Sequence, residues 1–103
     1  MTTDPQTTAL LRRAIAIFGE RVQLRRLIEE AAECIVAIAK YQDGRSGVTP
    51  SDLATEVVGC LITAAQAELI LVELIGCDEM NRIWSAQLDR LRTAVEVREG
   101  AAK

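Results

Sequence analysis

The chain has no histidine, only three aromatic residues (Phe18, Tyr41 and Trp84) and only two prolines among its 103 residues. Without histidine there is no imidazole base, no Ser-His-Asp triad and no Cys/His zinc finger. Its three cysteines, Cys34, Cys60 and Cys77, are far apart and form no CxxC pair, which excludes the usual zinc-ribbon and thioredoxin spacings. All three sit in apolar runs and read as small buried hydrophobes in a reducing cytoplasm. With so few aromatics, Ala, Leu, Ile and Val must do the packing. Gly and Pro fall in a few places only, which suits a few long helices. The formal net charge is −3, so a dedicated nucleic-acid-binding surface is not expected. No Gly-rich GxxxxGK[ST] phosphate loop is present. The start, Met1-Thr-Thr-Asp-Pro5, lacks the charged-then-apolar pattern of a signal peptide. The longest apolar tract, Val57 to Ile75, is interrupted by Gln66, Glu68 and Glu73. It reads as a buried helix rather than a membrane span.

What is there predicts one all-α domain over residues 1–103, with ends that fray at about 1–4 and 99–103. Asp4 caps a first helix with Pro5 at its first position. Gly19 breaks it, and a second helix runs from about Glu20 to Tyr41. Residues 42–50 form the clearest loop. Thr49, Pro50 and Asp52 open a third helix, which runs to Ile75 and is ended by Gly76. Asp78 then caps a fourth helix, running to about Arg98, with Ile83, Trp84, Leu88, Leu91 and Val95 on one apolar stripe. On that stripe Trp84 reads as core.

At 100° per residue, Gln23, Arg26, Glu29, Glu30, Glu33 and Lys40 fall within an arc of about 120° on the second helix. The third helix gathers Asp52, Thr55, Glu56, Gly59, Thr63, Gln66 and Glu73 on one narrow side, with Glu68 elsewhere. Helices apolar around most of their circumference are surrounded on several sides. A four-helix chain cannot surround two of them, which implies a homo-oligomer with these two at its centre.

Glu30 and Glu33 are three apart and share a surface, with Glu29 at its edge. Like charges about 4 Å apart repel by roughly 4 kcal/mol at an effective dielectric of 20. On an apolar helix such a cluster requires water, a neutralising base or a cation. Mg²⁺, or Mn²⁺ in its place, prefers oxygen ligands of this type. Packing the two polar stripes together brings Glu56 to the same point inside a bundle. Thr63 and Gln66 continue that stripe, equally suited to a ligand and to buried cross-helix bonds.

The stretch Gln23-Leu24-Arg25-Arg26-Leu27-Ile28-Glu29-Glu30-Ala31-Ala32-Glu33, continuing to Lys40-Tyr41 and Gly44-Arg45, resembles the EExxE helix of MazG-like all-α nucleoside triphosphate pyrophosphohydrolases. It is most similar to the short, stand-alone, phage-type members, and the resemblance covers about residues 14–95. The family's second motif, ExxD, matches at Glu56 and departs at Gly59, where the Asp should stand. The resemblance implies a four-helix MazG-like bundle assembled as a homodimer or homotetramer. It implies Glu30, Glu33 and Glu56 as Mg²⁺ ligands and Glu29 as an additional acid that binds a second metal or positions water. Its substrate would be a nucleoside triphosphate cleaved between the α and β phosphates, with Lys40 and Arg45 as phosphate partners. Gly59 implies weaker metal binding. It leaves open a non-catalytic module of the same fold, serving assembly or nucleotide sensing, and a plain helical oligomer whose glutamates face water.

Overall fold

Asp4, itself in an extended backbone conformation, caps the first helix, and its carboxylate accepts hydrogen bonds from the backbone N–H groups of Gln6 and Thr7, each at 3.3 Å, and from the Thr7 hydroxyl at 2.7 Å. These bonds satisfy donors that a helix start leaves orphaned. With the Thr7 hydroxyl as the largest cause, they hold the carboxyl below its ordinary acidity range. The computed structural model describes residues 4–44 and 46–102, and there Pro5–Phe18 is helix α1. It stops at Gly19, whose φ of 92° is a conformation L side chains rarely adopt. Gly19 donates to the Ile15 carbonyl at 2.8 Å and accepts from the Gln23 N–H at 3.1 Å. One residue thus closes α1 and opens α2, Glu20–Asp43, two residues beyond the expected end.

Helix α2 ends at Gly44, whose N–H reaches the Lys40 carbonyl at 3.1 Å. Helix α3, Pro50–Ile75, opens on a reciprocal capping box. The Asp52 N–H donates to Thr49 Oγ1 at 3.1 Å, and the Thr49 N–H donates to Asp52 Oδ2 at 2.9 Å. Gly76 closes α3 through a 2.8 Å bond to the Val72 carbonyl. Helix α4, Cys77–Ala102, begins one residue before the expected cap. Asp78 therefore lies within the first turn of α4. The cap is the Gly76 carbonyl, which accepts from the Met80 N–H at 3.1 Å. Helix geometry also continues through Gly100 to Ala102, where fraying from residue 99 is expected from the sequence. The described residues are thus all-helical, with four helices and no strand.

The chain forms two compact units, Met1–Ile70 and Leu71–Lys103. In the first, α1 packs against α2, and α2 meets α3 where Glu30 lies against Gly59. Among its described residues the buried apolar side chains are Leu11, Ala67 and Ile70, and as many polar ones, Gln23, Thr63 and Gln66, are buried with them. Thr63 is satisfied within its own helix, donating to the carbonyls of Cys60 at 3.0 Å and Gly59 at 3.2 Å. Gln23 Nε2 has no hydrogen-bond partner among the described residues.

Large apolar side chains stay outside this core, among them Ile28 at 70% and Ile35 at 67% exposure on α2. In the second unit, the α4 stripe is also uncovered: Trp84 is 49% exposed, not core. A lone amphipathic helix has nothing to bury that stripe against within its own unit. Cys77 is exposed as well, and Cys34 and Cys60 are half-buried. Cys77 follows Gly76 directly at a helix junction, where no neighbouring element covers it. From its sequence α3 is a poor membrane span, yet by length and composition alone it is long and apolar enough to cross one. A helix at the centre of a bundle meets the same test, because apolarity around the circumference serves either surroundings.

Candidate metal centre

The polar arc of α2 turns toward α3 at Glu30 and Glu33, and the polar stripe of α3 answers with Glu56. Each of these three residues offers a carboxylate oxygen, and the three oxygens lie within 4.8 Å of one another. Glu30 and Glu56 are half-buried and Glu33 is exposed. Oxygens bound octahedrally at about 2.1 Å stand roughly 3.0 Å apart when adjacent and about 4.2 Å when opposite. Small side-chain rotations bring the trio into that range. The donor set, all carboxylate oxygen, is of the hard kind that suits Mg²⁺ and Mn²⁺.

Gly59 does not leave the gap its sequence position suggests. A Cβ on residue 59 would stand 2.6 Å from Glu30 Oε2 and 3.4 Å from Glu30 Cδ. The Glu30 carboxylate therefore occupies the space a side chain at 59 would take. Glycine at this point of α3 allows the third carboxylate to lie directly against the helix. The close approach also accounts for a residue that costs roughly 1 kcal/mol relative to Ala in a helix interior.

Glu29 is exposed and stands outside the trio, because one residue along α2 turns the side chain by about 100°. Lys40 lies with Glu33, Val36, Val48, Asp52 and Glu56 around a cavity of about 470 Å³. That cavity places a cation and the carboxylates on one wall system, with an apolar floor. The Asp52 carboxyl there is held below its ordinary acidity range, first by the Thr49 N–H and then by the Thr49 side chain. Arg45 lies outside the described residues. Tyr41 is exposed at the end of α2.

Beside the trio, burial pushes the Cys34 thiol up, and the neighbouring Cys60 thiol and Glu56 carboxylate push it further. Each of these influences makes the Cys34 thiolate harder to form. On the other side of Glu30 lies a second cavity of about 320 Å³, lined in part by Gln23, Arg26, Gly59, Thr63 and Gln66. Gln23 is the residue here to which sequence alone assigns no role. Its one signal is its position on the same arc of α2 as the glutamates. No family model, no curated protein and no solved structure matches this chain.

Proposed function

We propose that the protein is a Mg²⁺- or Mn²⁺-dependent nucleotide pyrophosphohydrolase of the MazG-like kind, with Glu30, Glu33 and Glu56 as metal ligands. The observation that carries this reading is the convergence of three carboxylate oxygens from two helices within 4.8 Å. Without a cation their mutual repulsion opposes the packing of α2 on α3. A bound divalent ion would offset most of that charge and polarise the phosphates of a nucleoside triphosphate.

Within this reading the chain's own residues have separate tasks. Lys40, on the wall of the larger cavity, meets the charge of the β and γ phosphates. Water attacks the α phosphorus and its proton passes to solvent, since Glu29 is exposed and lines neither cavity. The bond from that phosphorus to the bridging oxygen breaks, and pyrophosphate leaves beside the monophosphate. Val36 and Val48 give the same cavity an apolar face. Positioning and electrostatics then carry most of the catalysis.

The active form in this reading is a homo-oligomer, a homodimer or homotetramer. Its support is the uncovered apolar surface, with Ile28 and Ile35 on α2 and Trp84 and Leu91 on α4 all more than two-fifths exposed. Soluble monomers rarely leave contiguous apolar surface of that kind open to water.

A second reading is a non-catalytic nucleotide-sensing or assembly module of the same fold. One observation favours it: Gly59 supplies no fourth carboxylate, and Glu30 fills its place. A triphosphate panel with Mg²⁺ or Mn²⁺ separates the two. Pyrophosphate released by wild type, and lost in EDTA and in Glu33→Gln, supports the enzyme. Nucleotide binding without release from any common or modified triphosphate supports the module.

A further inference from the structure

Glu30 forms a partition. On one side are Glu33, Glu56 and the cavity of Lys40; on the other is the second cavity, lined by residues of α1, α2 and α3. Gln23 lines that second cavity, is only 2% exposed, and its Nε2 has no hydrogen-bond partner. A buried amide left unpaired destabilises a fold, and a leucine of similar size would avoid the cost. Thr63 beside it is satisfied by its own helix. The unmet group is therefore the Gln23 Nε2 amide, left open to a partner that enters the cavity.

The cavity limits what that partner is. Gln66, 6% exposed, offers a second buried amide on its wall. Two amides present donors and acceptors together, so they suit a ligand edge that carries both. Phe18 and Leu10, each 57% exposed, add apolar surface at the same cavity, suited to a flat ring. The wall carries one carboxylate, Glu30, and one guanidinium, Arg26, whose charges offset each other, so it favours neither an anion nor a cation. Neutral, planar and edged with alternating donors and acceptors describes a nucleobase.

We propose that this cavity is the base subsite of a nucleotide, with Gln23 and Gln66 reading the base edge and Phe18 covering its face. The proposal rests on the pyrophosphohydrolase reading for what the neighbouring trio does to the phosphates, but binding of a bare nucleoside does not need the metal. The test is therefore made in EDTA with phosphate-free probes: uridine, thymidine, cytidine, adenosine and guanosine, titrated into the full chain by calorimetry. At least one nucleoside binds wild type. Gln23→Leu weakens it roughly tenfold or more, while its melting temperature stays level or rises because an unpaired buried amide is gone.

No binding of any of the five to wild type overturns the proposal. So does undiminished binding by Gln23→Leu. Should Gln23→Leu fail to fold, Phe18→Ala decides, since Phe18 is more than half exposed; unchanged affinity there also overturns the subsite. Nucleoside binding without any Mg²⁺ binding leaves the base subsite standing and removes the pyrophosphohydrolase reading. Pyrophosphate release at equal rates from all triphosphates, in wild type and Gln23→Leu alike, does the reverse.

Discussion

Replacing Glu56 by Gln should stabilise the protein without metal and destabilise it, relative to wild type, with metal. Two unit charges 4.8 Å apart repel by about 0.9 kcal/mol at the dielectric of water and about 3.5 kcal/mol at an effective value of 20. Glu33 is exposed and its two partners are half-buried, so the lower figure applies. Glu56 faces two partners, and its neutralisation relieves about 1.7 kcal/mol if the side chains hold their positions. Rotation of the exposed Glu33 away from the others reduces this to about 1 kcal/mol. At roughly 4–8 °C per kcal/mol for a domain of this size, Glu56→Gln should melt at least about 4 °C above wild type in EDTA at low salt and pH 7. Mg²⁺ at a hundred times its Kd then adds about 2.7 kcal/mol to wild type, and much less to a variant with two carboxylates. The order of the two melting temperatures should reverse. Scanning calorimetry at one protein concentration, with EDTA and with a Mg²⁺ series, reads both effects. A variant no more stable than wild type in EDTA, or one that keeps the same margin in Mg²⁺, refutes the reasoning.

Gly59→Ala should stabilise the metal-free fold by up to about 1 kcal/mol of helix propensity while lowering metal affinity, because its Cβ, 2.6 Å from Glu30 Oε2, turns that carboxylate aside. For the same reason Gly59→Asp exchanges one carboxylate for another. Its Mg²⁺ affinity by calorimetry should stay within about tenfold of wild type, and a larger rise would contradict the geometry. Thr49→Ala removes one half of the α3 capping box and should cost about 1 kcal/mol in thermal unfolding. The other half is acid-sensitive. The Asp52 carboxyl is depressed below its ordinary value of 3.8, so its contribution is complete above that value and is lost as pH falls through the lower folded value. The difference in melting temperature between wild type and Asp52→Asn should therefore close in acid; a constant difference would contradict the cap. Lys40→Ala should raise KM for the triphosphate roughly tenfold or more and leave the melting temperature nearly unchanged, since Lys40 is exposed.

Local signals carried most of the helix pattern. Asp4 before Pro5, Gly19, the Thr49-Pro50-Asp52 start and Gly76 each act through bonds to residues a few positions away, so a linear reading finds them. Asp78 misled because a residue that favours caps also suits the first turn, where its charge meets the helix dipole. The cap came from the Gly76 backbone, which has no side-chain signature. Trp84 and Cys77 misled for a different reason. An apolar stripe states that a face needs covering, not that the same chain covers it.

The trio of Glu30, Glu33 and Glu56 was legible because helical periodicity places two of them together and a matching stripe offers the third. Glu29 follows in sequence yet turns away by one helical step. Gly59 stood in the sequence as a departure from the motif, and its contact with Glu30 joins residues far apart in the chain. Gln23 was hidden in the same way: its lack of a partner depends on what α1 and α3 place around it.

The central claim is a divalent cation held by Glu30, Glu33 and Glu56, and crystals grown with Mn²⁺ test it most directly. The account predicts an anomalous difference peak at bonding distance from carboxylate oxygens of all three residues. Anomalous density confined to other places at saturating Mn²⁺, with the three glutamates turned to solvent, would contradict it.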